Sequence, residues 1–503
     1  MLEDGKIKVA QGENACYLLL DQANRHGLIA GASGTGKTVT LKVLAEGLSR
    51  AGVPVFMADV KGDVTGMAEA GEATDAVKER VAKLGADGWT PQGCPVHMWT
   101  MLEGEGIPCR VTISEMGPEL LSRLLGLTDV QQGVLTIVFR VADENQMLLI
   151  DLKDLRAMLS YVSEHAKEIS AQYGNVSTQS VAAIQRALLT LEDQGGNIFF
   201  GEPSLEIEDW MVCDGDGRGI VNILDASKLI SSPKIYAMFL LWMLNELYES
   251  LPEVGDADKP KFVFFFDEAH LLFDGMPQEL TDKIIQTVKL IRSKGVGIYF
   301  ITQSPSDIPD EVLAQLSNRI QHGLRAYTPK EQKAVKAAAQ SFRENPAFDS
   351  ATALQEVGTG EALVSFLNAD GQPEMVERAK VLPPECSMNA ASADTMKQVY
   401  AAQSDLMDKY GEAIDAVSAF EMLEQQKAEA PAEPTKEELK AQKEAEAAAA
   451  KAEKEAQKQA EREAKAAQKQ QEQVAKTVNS IIGQIGREAG RQLVRGIFGS
   501  LKR

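Results

Sequence analysis

Two kinds of apolar pattern alternate along the chain. The first is short and continuous: residues 27–30 read GLIA, 262–266 read FVFFF and 297–302 read GIYFIT, with no polar alternation. Such runs suit strands buried on both faces of a sheet. Further strands are expected at 53–60, 110–113, 219–226, 319–325 and 362–367. The second kind repeats with the helical period, as in TVTLKVLAEGL at 38–48. Residues from about 115 to 194 carry only this second kind, in GPELLSRLLGL, VQQGVLTIVFRVAD and SVAAIQRALLTLEDQ. They are expected to form a helical insertion. Strands separated by helices predict an α/β fold with a largely parallel sheet.

The pattern changes abruptly near residue 435. Residues 435–476 are almost wholly Ala, Glu, Lys and Gln, with no Gly, Pro or aromatic residue. These are strong helix formers, and Glu461–Lys465 and Lys440–Glu444 stand at supporting i,i+4 spacing. There is no leucine stripe for a conventional coiled coil. The stretch reads as a solvated helical spacer of roughly 60 Å when fully helical, with disorder as the alternative. The last residues, 477–503, differ again. Ile485, Ala489, Leu493, Ile497 and Leu501 recur every fourth position, and Arg487, Arg491 and Arg495 do so on another face. Glycines on this basic amphipathic segment cost a helix about 1 kcal/mol each, so it is expected to need a partner surface. The expected organisation is an α/β body at 1–390, a helical connector at 391–434, the spacer, and the basic segment.

Composition narrows the setting. A net charge of −21 argues against a chain coated with positive charge for nucleic acid, though not against a small basic strip. The cysteines Cys16, Cys94, Cys109, Cys213 and Cys386 are scattered and form no Cys-x-x-Cys pair. That usage fits reduced thiols without a zinc site or a disulfide framework. The opening MLEDGKIKVA has neither a basic nor an apolar leader region, and YAMFLLWML at 236–244 is too short to cross a bilayer. A cytoplasmic protein with no integral membrane segment is expected.

The chemistry starts after the first continuous apolar run. Gly31, Ala32, Ser33, Gly34, Thr35, Gly36, Lys37 and Thr38 fit G-x-x-x-x-G-K-[ST], between a strand and a helix that continues through Val39. Glycines let the backbone N–H groups curl around a phosphate chain, and the helix adds its positive end. Lys37 is expected to neutralise the terminal phosphates of ATP, and Thr38 to ligate Mg²⁺. A second carboxylate for the metal is offered by Asp267, which ends the FVFFF strand, with Glu268 next to it to polarise an attacking water. His270 either couples this site to a ligand or packs in the turn. Gln303, at the end of GIYFIT, is expected to lie beside the terminal phosphate. Arg319 and Arg292, with Arg325 nearby in sequence, are the arginines considered for reaching a neighbour's nucleotide.

With these residues in place, the chain resembles the HerA–FtsK superfamily of hexameric P-loop motor ATPases. More closely, it looks like the bacterial HerA-like ATPases often labelled YjgR. The resemblance rests on GASGTGKT, MADVKGDVTGM, FFFDEAHLLF, LLGLTDVQQGVLTIVFRVADE and GVGIYFITQSPSDIPDEVLAQLSNRIQHGLRAYTP. It implies a RecA-like core, a homo-hexameric ring and ATP-driven movement along double-stranded DNA. It also implies that Asp59, Lys61 and Asp63 lie near the nucleotide or a subunit contact. The expected activity is Mg²⁺-dependent ATP hydrolysis driving a DNA translocase. The alternatives are a motor for protein substrates and a nucleotide-gated scaffold that recruits a protein partner through its tail.

Overall fold

A computed structural model describes residues 2–228, 232–255, 257–273, 278–429 and 436–497. The chain folds as two units, Met1–Gln425 and Gln426–Arg503.

The first unit is built on one sheet. Its strands are β1 (Leu2–Glu3), β2 (Lys6–Gln11), β3 (Ala15–Leu19), β4 (Gly27–Ala30), β5 (Val55–Asp59), β6 (Val96–Thr100) and β7 (Ile107–Pro108). There follow β8 (Val221–Asp225), β9 (Phe262–Phe266), β10 (Val296–Thr302), β11 (Asn318–His322), β12 (Glu361–Ser365) and β13 (Glu377–Val381). The order across the sheet is β1-β2-β13-β12-β11-β4-β10-β9-β5-β8-β6-β7, with β3 beside β2. From β11 to β7 every neighbouring pair is parallel. On the other side of β11 the pairs are antiparallel.

The continuous apolar strands lie in the middle because both of their faces are covered. Phe262, Phe264 and Phe266 point into one core with Phe56, Ile298 and Phe300. Val263, Phe265 and Tyr299 point into a second core on the opposite face, against Leu41, Leu44 and Leu48 of helix α1 (Lys37–Arg50). The first core extends into the helices Ile113–Leu124, Asp129–Glu144, Leu152–Glu164 and Thr178–Asp193, where the helical insertion was expected.

The strand expected at 110–113 does not form. Val111 makes a single bridge to Phe200. Thr112 instead caps the helix beginning at Ile113, exchanging hydrogen bonds with Glu115 in a capping box.

In the second unit, one helix spans Lys436–Ile497. Lys465 pairs with Glu461 across one turn at 3.0 Å. The side chains of Ile485, Arg487, Ala489, Arg491, Leu493, Arg495 and Ile497, and the whole of Leu501, lie outside the described residues. No helix among the described residues is long and apolar enough to cross a membrane.

Candidate nucleotide site

The loop from Gly31 to Gly36 joins the carboxyl end of β4 to α1. It is pinned at its start: Gly31 N–H donates to Thr302 O (3.2 Å) and Ala32 N–H to Gly323 O (3.0 Å). Gly36 has φ 112°, a conformation that side-chain-bearing residues rarely adopt. It is also the N-cap of α1 and, having no side chain, leaves that helix uncapped by the N-cap position. The first-turn N–H groups of α1 are therefore left for a ligand, at the positive end of the helix dipole. Ser33 and Gly34 form the exposed tip, Thr35 and Thr38 are half-buried and Lys37 is buried. The Lys37 ammonium curls back and donates to Gly31 O (2.6 Å) and Ala32 O (3.2 Å). Burial and the charge of Lys61 hold its pKa below the usual lysine value, against the pull of Glu268 and Asp267.

Under the loop sits His322, a residue that no sequence motif marks. Its Nε2 shares a hydrogen bond with Thr40 Oγ1 (2.8 Å) on α1, and its Nδ1 with Glu361 O (3.0 Å). Burial pushes it down to about 4, so the ring is neutral near pH 7. A Cβ on Gly31 would come within 2.5 Å of the His322 Cβ. Gly360 N–H donates to Thr35 O (2.9 Å) and closes the support from the other side.

Two strands along, β9 ends at Phe266 and delivers Asp267 and Glu268. Asp267 is buried, and burial pushes it up to about 6, although Lys61 and the Glu268 N–H work the other way. Glu268 has φ 48° and ψ 49°. Its Oε1 accepts from Lys61 Nζ at 2.6 Å, and its Oε2 lies 3.4 Å from His270 Nδ1. Burial alone would raise Glu268. The hydrogen bond and charge of Lys61, with His270 and Lys37, outweigh it and hold the carboxyl below the usual range. Asp59, at the end of β5, has a different task. It accepts N–H groups of Lys61 (3.2 Å), Gly62 (2.7 Å) and Val64 (3.0 Å), and so shapes the turn that presents Lys61.

Between β4 and β9 runs β10, whose carboxyl end brings Gln303 into the same place. Gln303 is exposed in an open cleft of about 860 Å³ that is also lined by Ala32, Ser33, His270 and Arg325. Lys37, Asp267, Glu268 and Gln303 thus converge at the carboxyl ends of β4, β9 and β10. The donors available to a cation, the Thr38 hydroxyl and the Asp267 carboxylate, are hard oxygens that suit Mg²⁺. Among the described residues no cluster of three or more His, Cys, Asp or Glu could hold a metal alone.

The other two arginines do not join this group. Arg319 stands at the start of β11, opposite Leu28 of β4. Its guanidinium donates to Leu316 O (2.9 Å), Leu313 O (2.8 Å) and Ser341 O (3.4 Å). Arg292 lies in the turn before β10, at the opposite end of that strand from Gln303. Arg325 is the arginine that shares the cleft with the phosphate loop.

A family model described as "Helicase HerA-like C-terminal" matches residues 4–503. The chain is similar to the DNA double-strand break repair helicase HerA of Sulfolobus acidocaldarius, with 26% identity over 149 residues, 29% of each chain. It is also similar to the probable helicase MJECL08 of Methanocaldococcus jannaschii, with 29% identity over 154 residues, 29% of this chain and 28% of that one. The matches therefore span under a third of these curated relatives. Among solved structures, the trigonal form of the bacterial conjugative coupling protein TrwBΔN70 superimposes with a TM-score of 0.51 at 14% identity, covering 78% of this chain and 92% of that one. This last likeness is one of fold.

Proposed function

The chain belongs to the helicase HerA-like C-terminal family, and from that premise we propose that it is an ATP-hydrolysing motor acting on double-stranded DNA. One observation carries the reading: Lys37, Asp267, Glu268 and Gln303 share one end of three neighbouring parallel strands. The N–H groups of the loop and the Lys37 ammonium hold the phosphates of ATP. Mg²⁺, bound with the nucleotide by Thr38 and Asp267, supplies charge neutralisation at the phosphates. Glu268 orients the attacking water and takes its proton. Gln303 lies where it reads the terminal phosphate, and Arg325 is the arginine available to that phosphate from the same chain. Arg292 and Arg319 stand away from the phosphate loop, so a role for either would be on the nucleotide of a neighbouring subunit. A cytoplasmic homo-hexamer is the form proposed. The basic segment at 477–503 recruits DNA or a protein partner.

The acidic balance of the chain, −21 overall, favours a second reading in which the motor moves a polypeptide. ATP turnover measured with and without duplex DNA, alongside the native mass, tests the proposal. Turnover that depends on Lys37 and rises with duplex DNA is the expected result. Turnover indifferent to DNA but raised by an unfolded polypeptide would favour the second reading.

A further inference from the structure

We propose that Lys61 senses the terminal phosphate of the nucleotide: it exchanges its partner Glu268 for that phosphate when ATP is bound, and so releases Glu268 for the attacking water. The inference rests on the reading of Glu268 as the base.

The geometry begins with a closed ion pair. Lys61 Nζ stands 2.6 Å from Glu268 Oε1, across 207 residues of sequence. The two partners are unequally held. The Glu268 side chain is 11% exposed, and that of Lys61 is 51% exposed. Glu268 follows Asp267 directly, and its backbone lies in the left-handed region that a residue with a Cβ rarely adopts. Its carboxylate is therefore fixed by the surroundings, between Lys61 and His270. Lys61 has the freedom. Its backbone is anchored by the Asp59 carboxylate, while its four-carbon stem reaches outward as a flexible point charge. Its charge is also felt at both flanking groups: it lowers the pKa of Lys37 and that of Asp267. β5 runs parallel beside β9, so the turn carrying Lys61 stands at the same end of the sheet as Glu268 and the phosphate loop, where a terminal phosphate on Lys37 would sit.

A terminal phosphate carries more negative charge than one carboxylate and offers three acceptor oxygens. The ion pair and the phosphate compete for one ammonium. ADP lacks the competing group, so it leaves the pair closed. The same exchange gives the site a preference for triphosphate over diphosphate and ties the release of the base to the presence of something to hydrolyse.

A zero-length carbodiimide cross-link reads the pair directly, because it joins only an amine and a carboxylate already in contact. In the full chain, mass spectrometry is expected to find a Lys61–Glu268 cross-link without nucleotide and with ADP, and to find it lost with a non-hydrolysable ATP analogue. Binding gives the second readout. Lys61→Met is expected to weaken binding of the analogue about tenfold, the worth of one charge-assisted hydrogen bond, and to leave ADP binding unchanged. Lys61→Arg is expected to retain most of the preference. A cross-link that never forms, or that survives saturation with the analogue, overturns the proposal. So does a Lys61→Met chain whose affinities for the two nucleotides are both unchanged or fall equally. Neither readout needs turnover. A Glu268→Gln chain that hydrolyses ATP at the wild-type rate would instead remove the base assignment on which the proposal rests.

Discussion

Replacing Gly31 by alanine is the sharpest test of how the phosphate loop is supported. The added Cβ would lie 2.5 Å from the Cβ of His322, 2.9 Å from Thr35 Oγ1 and 3.2 Å from the His322 Cα. The first and last of these belong to the root of a side chain on the neighbouring strand and cannot swing aside. β4 and β11 are hydrogen-bonded in register from Gly27–Asn318 to Ala30–Gln321, so the two segments must part by about 1 Å against their own ladder. Overpacking of this kind costs about 1–3 kcal/mol. With roughly 2 °C per kcal/mol for a large domain, the Tm falls by about 2–6 °C. The shift also moves the loop relative to Lys37, and a displacement of about 1 Å at a site of this kind is worth about a hundredfold in rate. Thermal unfolding and steady-state ATP hydrolysis measure the two effects. The cause is isolated by removing the obstacle: in a His322→Gly background, the Gly31→Ala penalty should shrink by about 1 kcal/mol or more. A Gly31→Ala chain with wild-type Tm and turnover, or a penalty of the same size in both backgrounds, would refute the account of His322 as the floor of the loop.

Four further outcomes are expected. Glu268→Gln should bind nucleotide yet lose about 10²–10⁴-fold in turnover, the usual worth of a general base, as read by equilibrium binding and steady-state rates. Burial pushes Glu46 up to about 7, so its contribution to stability is complete below the ordinary carboxylate value near 4.5 and is lost as the pH rises through 7. The Tm of Glu46→Gln minus that of the wild type should therefore increase between pH 5 and pH 8, and parallel profiles would contradict this. Arg319→Ala should lower stability by about 1–3 kcal/mol in chemical denaturation, because the carbonyls of Leu313 and Leu316 lose their donor. Once rings mixed from Arg319→Ala and Glu268→Gln subunits are shown to form, recovered turnover would assign Arg319 to a neighbour's nucleotide, and no recovery would turn attention to Arg292. Deleting residues 477–503 should leave basal ATP hydrolysis intact and weaken DNA or partner binding, whereas a truncated chain that cannot hydrolyse ATP would make the segment structural.

What could be read from the sequence follows from how local each signal is. The bounds of β4 and β9 match the continuous apolar runs because nothing polar interrupts them and both faces are covered. The phosphate loop was legible because its glycines, lysine and flanking elements are contiguous. β2, β3, β6 and β13 escaped notice. They are no shorter than β4, but KIKVAQ and ERAKV mix charged with apolar residues, as suits the antiparallel flank. Residues 110–113 look like a strand by composition, but the Thr112–Glu115 capping box turns the chain into a helix first. The partners of the site residues were the least legible. Nothing in RIQHGL marks His322 as the floor of a loop that lies nearly 300 residues earlier. The contact of Lys61 with Glu268 exists only because β5 and β9 are neighbours. Arg319 shows the converse. Its position in a motif said nothing about the three carbonyls that occupy its guanidinium.

The order of the strands also sets a timetable for synthesis. β4, which carries the phosphate loop, is flanked by β10 and β11, and β2 meets β13 through Gln11 and Lys380. At about 5–20 residues per second, a ribosome needs roughly 20–70 s to travel from the first half of that last pair to the second. Until residues 296–322 are made β4 lacks both of its neighbours, and until 377–381 follow β2 has only β1 and β3; edges left open in this way are the kind that recruit the wrong neighbour. The β2–β3 hairpin and α1 can form early, but the floor and walls of the loop arrive with residues 302, 322 and 360. A nascent chain stalled at residue 290 would carry the entire phosphate-binding motif and no place to bind a phosphate.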